Sequence, residues 1–349
     1  MVNYIKAINY LEMKQFEEAL VEARRINLKL QEINDQYKEH KNRYSDDAFA
    51  HVIMGLIYEA SYDYNNAFIA YRNAYNVYKD DYKQNFGMDA PRQLKLDILR
   101  TAYLNRFMEE LAYFEKEFGI KYDHSPKKGG EVVFIWHNGL GPVKEEWGIS
   151  FVKTSSEAGV VVFHNEELGL TFPFYIGDKP EEEKSAFAQL NVLRVAFPKY
   201  MERKPVYNQA KIKVNDSTHA LELAQDVNAI AFKTLHDRMV REIANSLLRL
   251  ASKKALEQAV REQNQDVGAA VGILNALTEK ADTRNWQTLP YAIHYTRIPV
   301  DTGKHTLHLK LSGNDDSRQH NLEVNISKGE TEFRVFHTLE SQMPQSVPY

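Results

Sequence analysis

The stretch Gly55-Leu-Ile-Tyr58-Glu-Ala-Ser-Tyr-Asp-Tyr64-Asn-Asn-Ala67-Phe-Ile-Ala-Tyr71-Arg-Asn-Ala74 constrains this chain more than any other. Its small and large residues recur at helical spacing on both sides of a polar turn. Gly55 and Ala67 are the small residues where two helices touch. Tyr58, Tyr64 and Tyr71 are the large residues that fill the space around the contact. A hairpin of this kind cannot bury its apolar face alone, so the rest of the chain must supply neighbours for it.

The pattern is that of a tetratricopeptide (TPR) hairpin, and the segment before it reads as a variant copy. Ala7 falls on Gly55, Tyr10 on Tyr58, Phe16 on Tyr64 and Ala19 on Ala67, at an offset of 48 residues. A standard TPR period is about 34 residues. The surplus, about four helical turns, predicts a lengthened second helix over 16–42 with a projecting polar tail. Ser45-Asp46-Asp47 caps the next helix, and the clear repeat occupies 46–61 and 64–82. Asp89-Ala-Pro91 restarts a helix. A third pair ending at Gly119 lacks the small/large pattern and reads as the pair that seals the array.

At 349 residues the chain can build two cores. Its 43% hydrophobic and 11% aromatic content predicts a folded, soluble protein rather than a disordered one. A formal net charge of -4 favours neither nucleic acid nor an anionic membrane as a partner. The lack of Cys excludes disulfides, thiolate metal sites and Cys nucleophiles. No apolar run reaches the ~18 residues of a membrane-spanning helix. The chain opens directly on a helical pattern without a signal peptide, which leaves two explanations: a cytoplasmic protein, or one whose leader has been processed away.

A polar connector over 120–130 precedes a change of character. Glu131-Val-Val-Phe-Ile-Trp136 is a strand, and 159–163 with 170–175 reads as a hairpin. Further strands are expected at 192–197, 210–214, 220–224, 290–300, 305–311, 321–326 and 331–336. A long helix from about 227 to 263, with an apolar stripe at Ile243, Leu247 and Leu250, interrupts them, and a second helix is expected over 267–280. The predicted fold class is therefore α+β. TPR-like hairpins over 1–119 are followed by a β-sandwich-like domain over 131–349, with a helical insertion at about 226–281.

No phosphate loop, zinc-helix motif, nucleophile elbow or EF-hand is present. His305 and His308 stand on opposite faces of a strand, which argues against a shared metal. No cofactor is expected. Three features are candidates for binding. Asn138-Gly139-Leu-Gly-Pro142-Val-Lys144-Glu145 reads as a shaped loop that can also contact a ligand. Arg238, Arg241, Arg249 and Lys253 make a basic stripe on the long helix, either solvated or aimed at an anion or acidic partner. Asp282 and Arg284, with Trp286, either pin the passage from helix to strand by a charge-assisted hydrogen bond or contact a ligand.

The chain resembles an uncharacterised bacterial family of TPR-bearing, envelope-associated proteins. Its members are typically lipoproteins, often encoded beside the lipoprotein that activates a penicillin-binding protein. The resemblance rests on Phe16-Glu-Glu-Ala-Leu-Val-Glu-Ala-Arg24, Asn138-Gly-Leu-Gly-Pro-Val-Lys-Glu145, Phe197-Pro-Lys-Tyr200, Asp226-Val-Asn-Ala-Ile-Ala231 and Ala281-Asp-Thr-Arg-Asn-Trp286 through Leu289-Pro290. It implies a periplasmic or outer-membrane inner-face location, with membrane association only through a leader that this chain lacks. It supplies no catalytic residues. The expected function is a non-enzymatic scaffold or adaptor that takes a protein or peptide partner through the TPR groove, with no nucleic acid bound. The alternatives are a cytoplasmic TPR regulator and an envelope-polymer hydrolase or transferase using carboxylates such as Glu145 or Asp282.

Overall fold

The structure, a computed structural model, describes residues 1–35, 46–124, 129–157, 159–263 and 280–347. It is mixed α+β. Helices α1 (Val2–Glu12), α2 (Phe16–Asp35), α3 (Ala48–Ala60), α4 (Tyr64–Val77), α5 (Lys83–Phe86), α6 (Arg92–Leu104) and α7 (Met108–Phe118) come first. Then follow β1 (Gly130–Asn138), β2 (Val143–Glu157), β3 (Val160–Asn165), β4 (Leu170–Tyr175), α8 (Glu181–Gln189), β5 (Val192–Glu202), β6 (Tyr207–Val214), β7 (Ser217–Ala220) and β8 (Glu222–Asp226). The chain continues with α9 (Val227–Gln263), β9 (Ala292–Val300), β10 (Gly303–Gly313), β11 (Ser317–Ile326), β12 (Thr331–Thr338) and β13 (Gln345–Ser346).

The chain forms two compact units, and both are discontinuous. The first comprises Met1–Pro142, Glu202–Thr234 and Gln287–Gln345; the second comprises Val143–Met201, Leu235–Trp286 and Ser346–Tyr349. The boundary expected at 120–130 separates helices from strands, whereas the compact units place the helices with most of the strands. Density of contact follows the pairing of distant segments rather than the change of composition along the chain.

In the first unit the helices stack as pairs. α1 packs on α2, α3 on α4 and α6 on α7, while α2 lies on α3 and α4 on α6. The three pairs share one turn. Lys14, Tyr62 and Arg106 each adopt a left-handed backbone, with φ of 59°, 60° and 59°. In each turn that residue's N–H bonds back to Leu11, Glu59 or Tyr103, and the next N–H bonds to Tyr10, Tyr58 or Ala102. The third pair therefore keeps the backbone of the repeat although its side-chain pattern differs. Asp47 and Asp63 cap α3 and α4 through the N–H groups of Ala50 and Asn66. α2 is described to Asp35, and the extension expected beyond it, like the cap residue Ser45, lies outside the described residues. The helix expected over 64–82 leaves α-geometry at a π turn, Tyr78–Tyr82, before α5.

Two four-stranded sheets complete this unit, in the orders β12-β1-β9-β8 and β11-β10-β6-β7. β1 is paired on both edges, parallel to β12 and antiparallel to β9. Alternation then divides its side chains. Val132, Phe134 and Trp136 join Ile212, Leu307, Leu309 and Leu311 in a core with the second sheet. Val133 and Ile135 join Phe49, Ile53, Tyr71 and Leu99 in a core with the helices. The unit is thus layered as helices, sheet and sheet. The strand expected over 220–224 is broken at Leu221: β7 ends in one sheet and β8 begins in the other. Leu221 is buried in the core with the second sheet, which makes the crossing an apolar anchor point.

The second unit is built on the order β13-β5-β2-β3-β4. α9 lays Met239, Ile243, Leu247 and Leu250 against Ile149, Phe151, Phe163, Leu193 and Val195 of that sheet. The expected hairpin is β3–β4, with Val161 opposite Phe174. The helix expected over 267–280 falls outside the described residues except for Lys280, which is not helical.

Candidate functional site

The helix-facing side of β1 carries Glu131, Val133, Ile135 and His137 in alternation. Its middle is apolar and both ends are polar, and a polar assembly is built at each end.

At the Glu131 end, Arg297 of β9 stands beside Val133 on the same face. Its side chain is 2% exposed and is surrounded by acids. Nη2 donates to Glu59 Oε2 at 2.8 Å and to Tyr71 Oη at 3.0 Å, Nη1 donates to Glu131 Oε1, and Nε lies 3.3 Å from Asp97 Oδ1. Arg100 of α6 grips Glu59 with two bonds, Nε to Oε1 at 2.6 Å and Nη2 to Oε2 at 2.8 Å, and reaches Asp97 at 2.7 Å. Tyr71 donates to Glu59 at 2.9 Å and Gln93 to Asp97 at 2.8 Å. Three carboxylates thus surround two guanidiniums with little exposure to water. Burial alone would raise the Glu59 pKa, but the charges of Arg100 and Arg297 overcome it and hold the carboxyl down at about 2. Burial acts against the charge of Arg297 as well, and its acidic neighbours keep it ionised. Glu59, Arg100 and Arg297 therefore stay charged through the physiological range.

A cleft of about 680 Å³ opens over this network. Its walls come from the start of α6 (Arg92, Gln93, Leu96), the segment after α7 (Ile120 to Asp123), β7 and β8 (Thr218, His219, Glu222) and β9 (Thr296, Pro299). Arg100 and Arg297 form its floor. Gln93 N–H donates to Glu222 across it at 3.2 Å. Tyr122 stacks with Tyr103 and His124, with ring centroids 5.3 Å and 5.2 Å away. The His219 Nε2 atom is buried without a hydrogen-bond partner among the described residues, and burial lowers that imidazole's pKa. The cleft therefore presents both signs of charge, a neutral imidazole and an aromatic wall on a fixed base.

At the other end of β1, His137 lies between Tyr4 of α1 and His337 of β12. Tyr4 Oη is 2.6 Å from His137 Nε2, and the two Nδ1 atoms are 3.1 Å apart. Burial, reinforced by His337, pushes the His137 pKa down to about 3, so the ring is neutral. If Tyr4 donates to Nε2, His137 donates through Nδ1 to His337.

The residues predicted from sequence divide between the units. Asn138, Gly139 and Pro142 belong to the first. Asn138 is buried and donates to Tyr207 O at 2.8 Å, and a Cβ at Gly139, where φ is +63°, would meet Pro205 at 2.8 Å. Both residues shape the turn. Lys144 and Glu145 are not in the predicted loop, which ends at Pro142. They lie in β2, opposite Tyr200 and Lys199 of β5, because the loop turns directly into a paired strand. Lys144 Nζ sits 5.5 Å over the Tyr200 ring, its N–H faces Asn285 at 3.4 Å, and its charge acts on Asp282.

Asp282 and Arg284 form the charge-assisted contact expected of them with each other. They bind each other through two bonds of 2.8 Å, and both are exposed. Arg284 holds Asp282 well below the usual carboxylate range, which does not suit it to act as a general acid. Trp286 is 45% exposed. On α9, Arg241 lies 3.9 Å from Glu242, and Arg249 donates to Ser246 at 3.2 Å. His305 and His308 have separate partners, Asp301 O and Asn321 Oδ1.

Sequence reasoning missed Glu59, Asp97, Arg100, Glu131, His137 and Arg297. The available signal was a charged residue inside an apolar run, Glu59 in Ala48–Ala60 and Arg297 in Ala292–Val300, where neither face is free for water. Among the described residues no helix is long and apolar enough to cross a membrane. No protein-family model, no curated protein and no solved structure matches the chain.

Proposed function

We propose that the chain is a non-enzymatic scaffold or adaptor of the bacterial cell envelope, and that the cleft of the first unit takes its partner. The carrying observation is the cleft's construction: a recess of about 680 Å³ whose cationic floor is locked in place by buried acids. A preformed recess binds without first paying the entropy of ordering its walls. The rim carries Arg92, Lys121, Asp123 and Glu222 beside the Tyr122 ring, which suits an extended peptide with charged and apolar side chains.

The helical pairs read as TPR-like hairpins, supported by their common turn and stacking order. The inner surface of such an array is its usual groove. Here α3 is buried against the chain's own sheet, with Phe49 packed 5.9 Å from Tyr295. The partner surface accordingly moves to the neighbouring cleft. The envelope location rests on the family resemblance described above.

Photo-crosslinking residues placed at Arg92 or Tyr122 in cells test the reading. Both should capture one and the same partner, and capture from position 122 should be lost on R92E. The control position is Lys310, exposed on β10. Capture at the cleft no different from that at Lys310 would refute the proposal. Fractionation of the same cells tests the compartment.

A further inference from the structure

A second recess, of about 260 Å³, lies within the second unit where α9 meets β5. Its base is aliphatic: Val195, Ala196 and Leu250. Its rim carries Ser246, Arg249 and Lys253, which share one face of α9, and Lys280 from a separate stretch of chain. The sequence grouped Arg249 and Lys253 with Arg238 and Arg241 in one stripe. The structure separates them, since neither Arg238 nor Arg241 lines the recess, and it adds Lys280 and a hydroxyl.

Among the described residues no carboxylate lines this recess. Among the described residues none of its three cations has an ion-pair partner, and the one hydrogen bond from Arg249 goes to Ser246 Oγ. Like charges at i and i+4 destabilise a helix, so Arg249 and Lys253 cost α9 some stability that an anion between them would recover. The donors are a planar guanidinium, two ammoniums and a hydroxyl. A guanidinium matches the edge of a phosphate with two parallel bonds, while ammoniums act as point charges on its remaining oxygens. Among the described residues the recess has no aromatic ring on which a nucleobase would stack. Its volume suits a single phosphate with a short organic group against the aliphatic base.

We propose that Arg249, Lys253, Lys280 and Ser246 form a binding site for a tetrahedral phosphate dianion, either free or as the head of a phosphomonoester lipid. The site is independent of the cleft in the first unit.

Calorimetric titration of the full chain with inorganic phosphate, against chloride at equal ionic strength, tests the free form. Co-sedimentation with phosphatidic acid vesicles, against phosphatidylcholine vesicles, tests the lipid form. One of the two probes should bind. The R249A/K253A double variant should weaken that binding at least about tenfold, K280A by about threefold to tenfold, and R249K should restore part of the loss. Circular dichroism of each variant confirms that α9 is retained. Three results would overturn the assignment: neither probe binds, binding is unchanged in R249A/K253A, or single-stranded oligonucleotides bind more tightly than both probes.

Discussion

In the first unit two guanidiniums and three carboxylates are largely withdrawn from water and paired with one another across helices and strands. In the second, three cations share a recess lined by no acid among the described residues. Both units place Arg beside an apolar core, yet the consequences are opposite. Buried Arg297 has neighbours of fixed identity, so it specifies how α3, α6, β1 and β9 come together. Arg249 keeps most of its donors turned outward, so it specifies nothing in the fold and remains available to something else. The position of the counter-charge, rather than the number of charges, separates a structural arginine from a binding one.

The comparison is broken most directly at Arg297. Arg297→Met leaves Glu59, Asp97 and Glu131 buried around a single guanidinium, and the first unit should lose about 3–5 kcal/mol. Trp136 reports on that unit, so urea denaturation followed by its fluorescence, in a background with Trp147 and Trp286 replaced by Phe, measures the loss. An effect below about 1 kcal/mol would show that the network is not withdrawn from water. Arg249→Met, by the same argument, should cost the second unit nothing, and by removing one of two like charges on α9 it should add at most about 0.5 kcal/mol.

Gly55→Ala probes the packing above the network. The added Cβ would overlap the Tyr71 ring, which is itself bonded to Glu59 and Arg297. Overpacking of this kind costs about 1–3 kcal/mol, read by the same denaturation. A neutral result would mean that Tyr71 has room to move.

Acid sharpens the contrast. Burial lowers the pKa of His137 to about 3 and of His294 to about 4, whereas both titrate near 6.5 in the unfolded chain. The unfolded state therefore takes up protons first. The stability that these rings contribute is complete above pH 6.5 and is lost as pH falls through 6.5 towards 4, at about 1.4 kcal/mol per pH unit for each ring. Glu59, with a folded pKa of about 2 against 4.5, adds a further loss as pH falls from 4.5 towards 2. Urea midpoints between pH 7 and pH 4.5 should fall steeply for the Trp136 transition, and more shallowly in His137→Phe or His294→Phe. The smallest effect belongs to the exposed Asp282–Arg284 pair: Asp282→Asn should leave the melting temperature unchanged.

What the sequence disclosed and what it hid follow one physical rule. Local periodicity disclosed the α3–α4 hairpin, the β3–β4 hairpin, and the Ile243-Leu247-Leu250 stripe. Each rests on residues close together in the chain. The parallel pairing of β1 with β12 and the embrace of Glu59 by Arg297 join segments about 200 or more residues apart, and no spacing encodes them. β2 was missed because Lys144-Glu-Glu-Trp147 is half polar and follows a Gly/Pro turn without a break. The predicted strand over 220–224 looked continuous because periodicity does not show which sheet a residue joins. Within the candidate sites, Arg249 was visible as part of a stripe. Arg297 was not, since a lone Arg in an apolar strand carries no partner's name.

The separation of Glu59 from Arg297, 238 residues, also sets a timetable. At about 5–20 residues per second of synthesis, the α3 carboxylate waits roughly ten to fifty seconds for its second guanidinium, and β1 waits nearly as long for β12, 200 residues on. During that interval Arg100 is its only Arg partner, and the faces of Phe49 and Ile53 that later cover β1 remain open. The nascent helical array is thus an incomplete body with an apolar side, held for a time in the presence of everything else in the cell. An open apolar side, closed only by the arrival of β9 and β12, is the kinetic counterpart of a core assembled from the two ends of the chain.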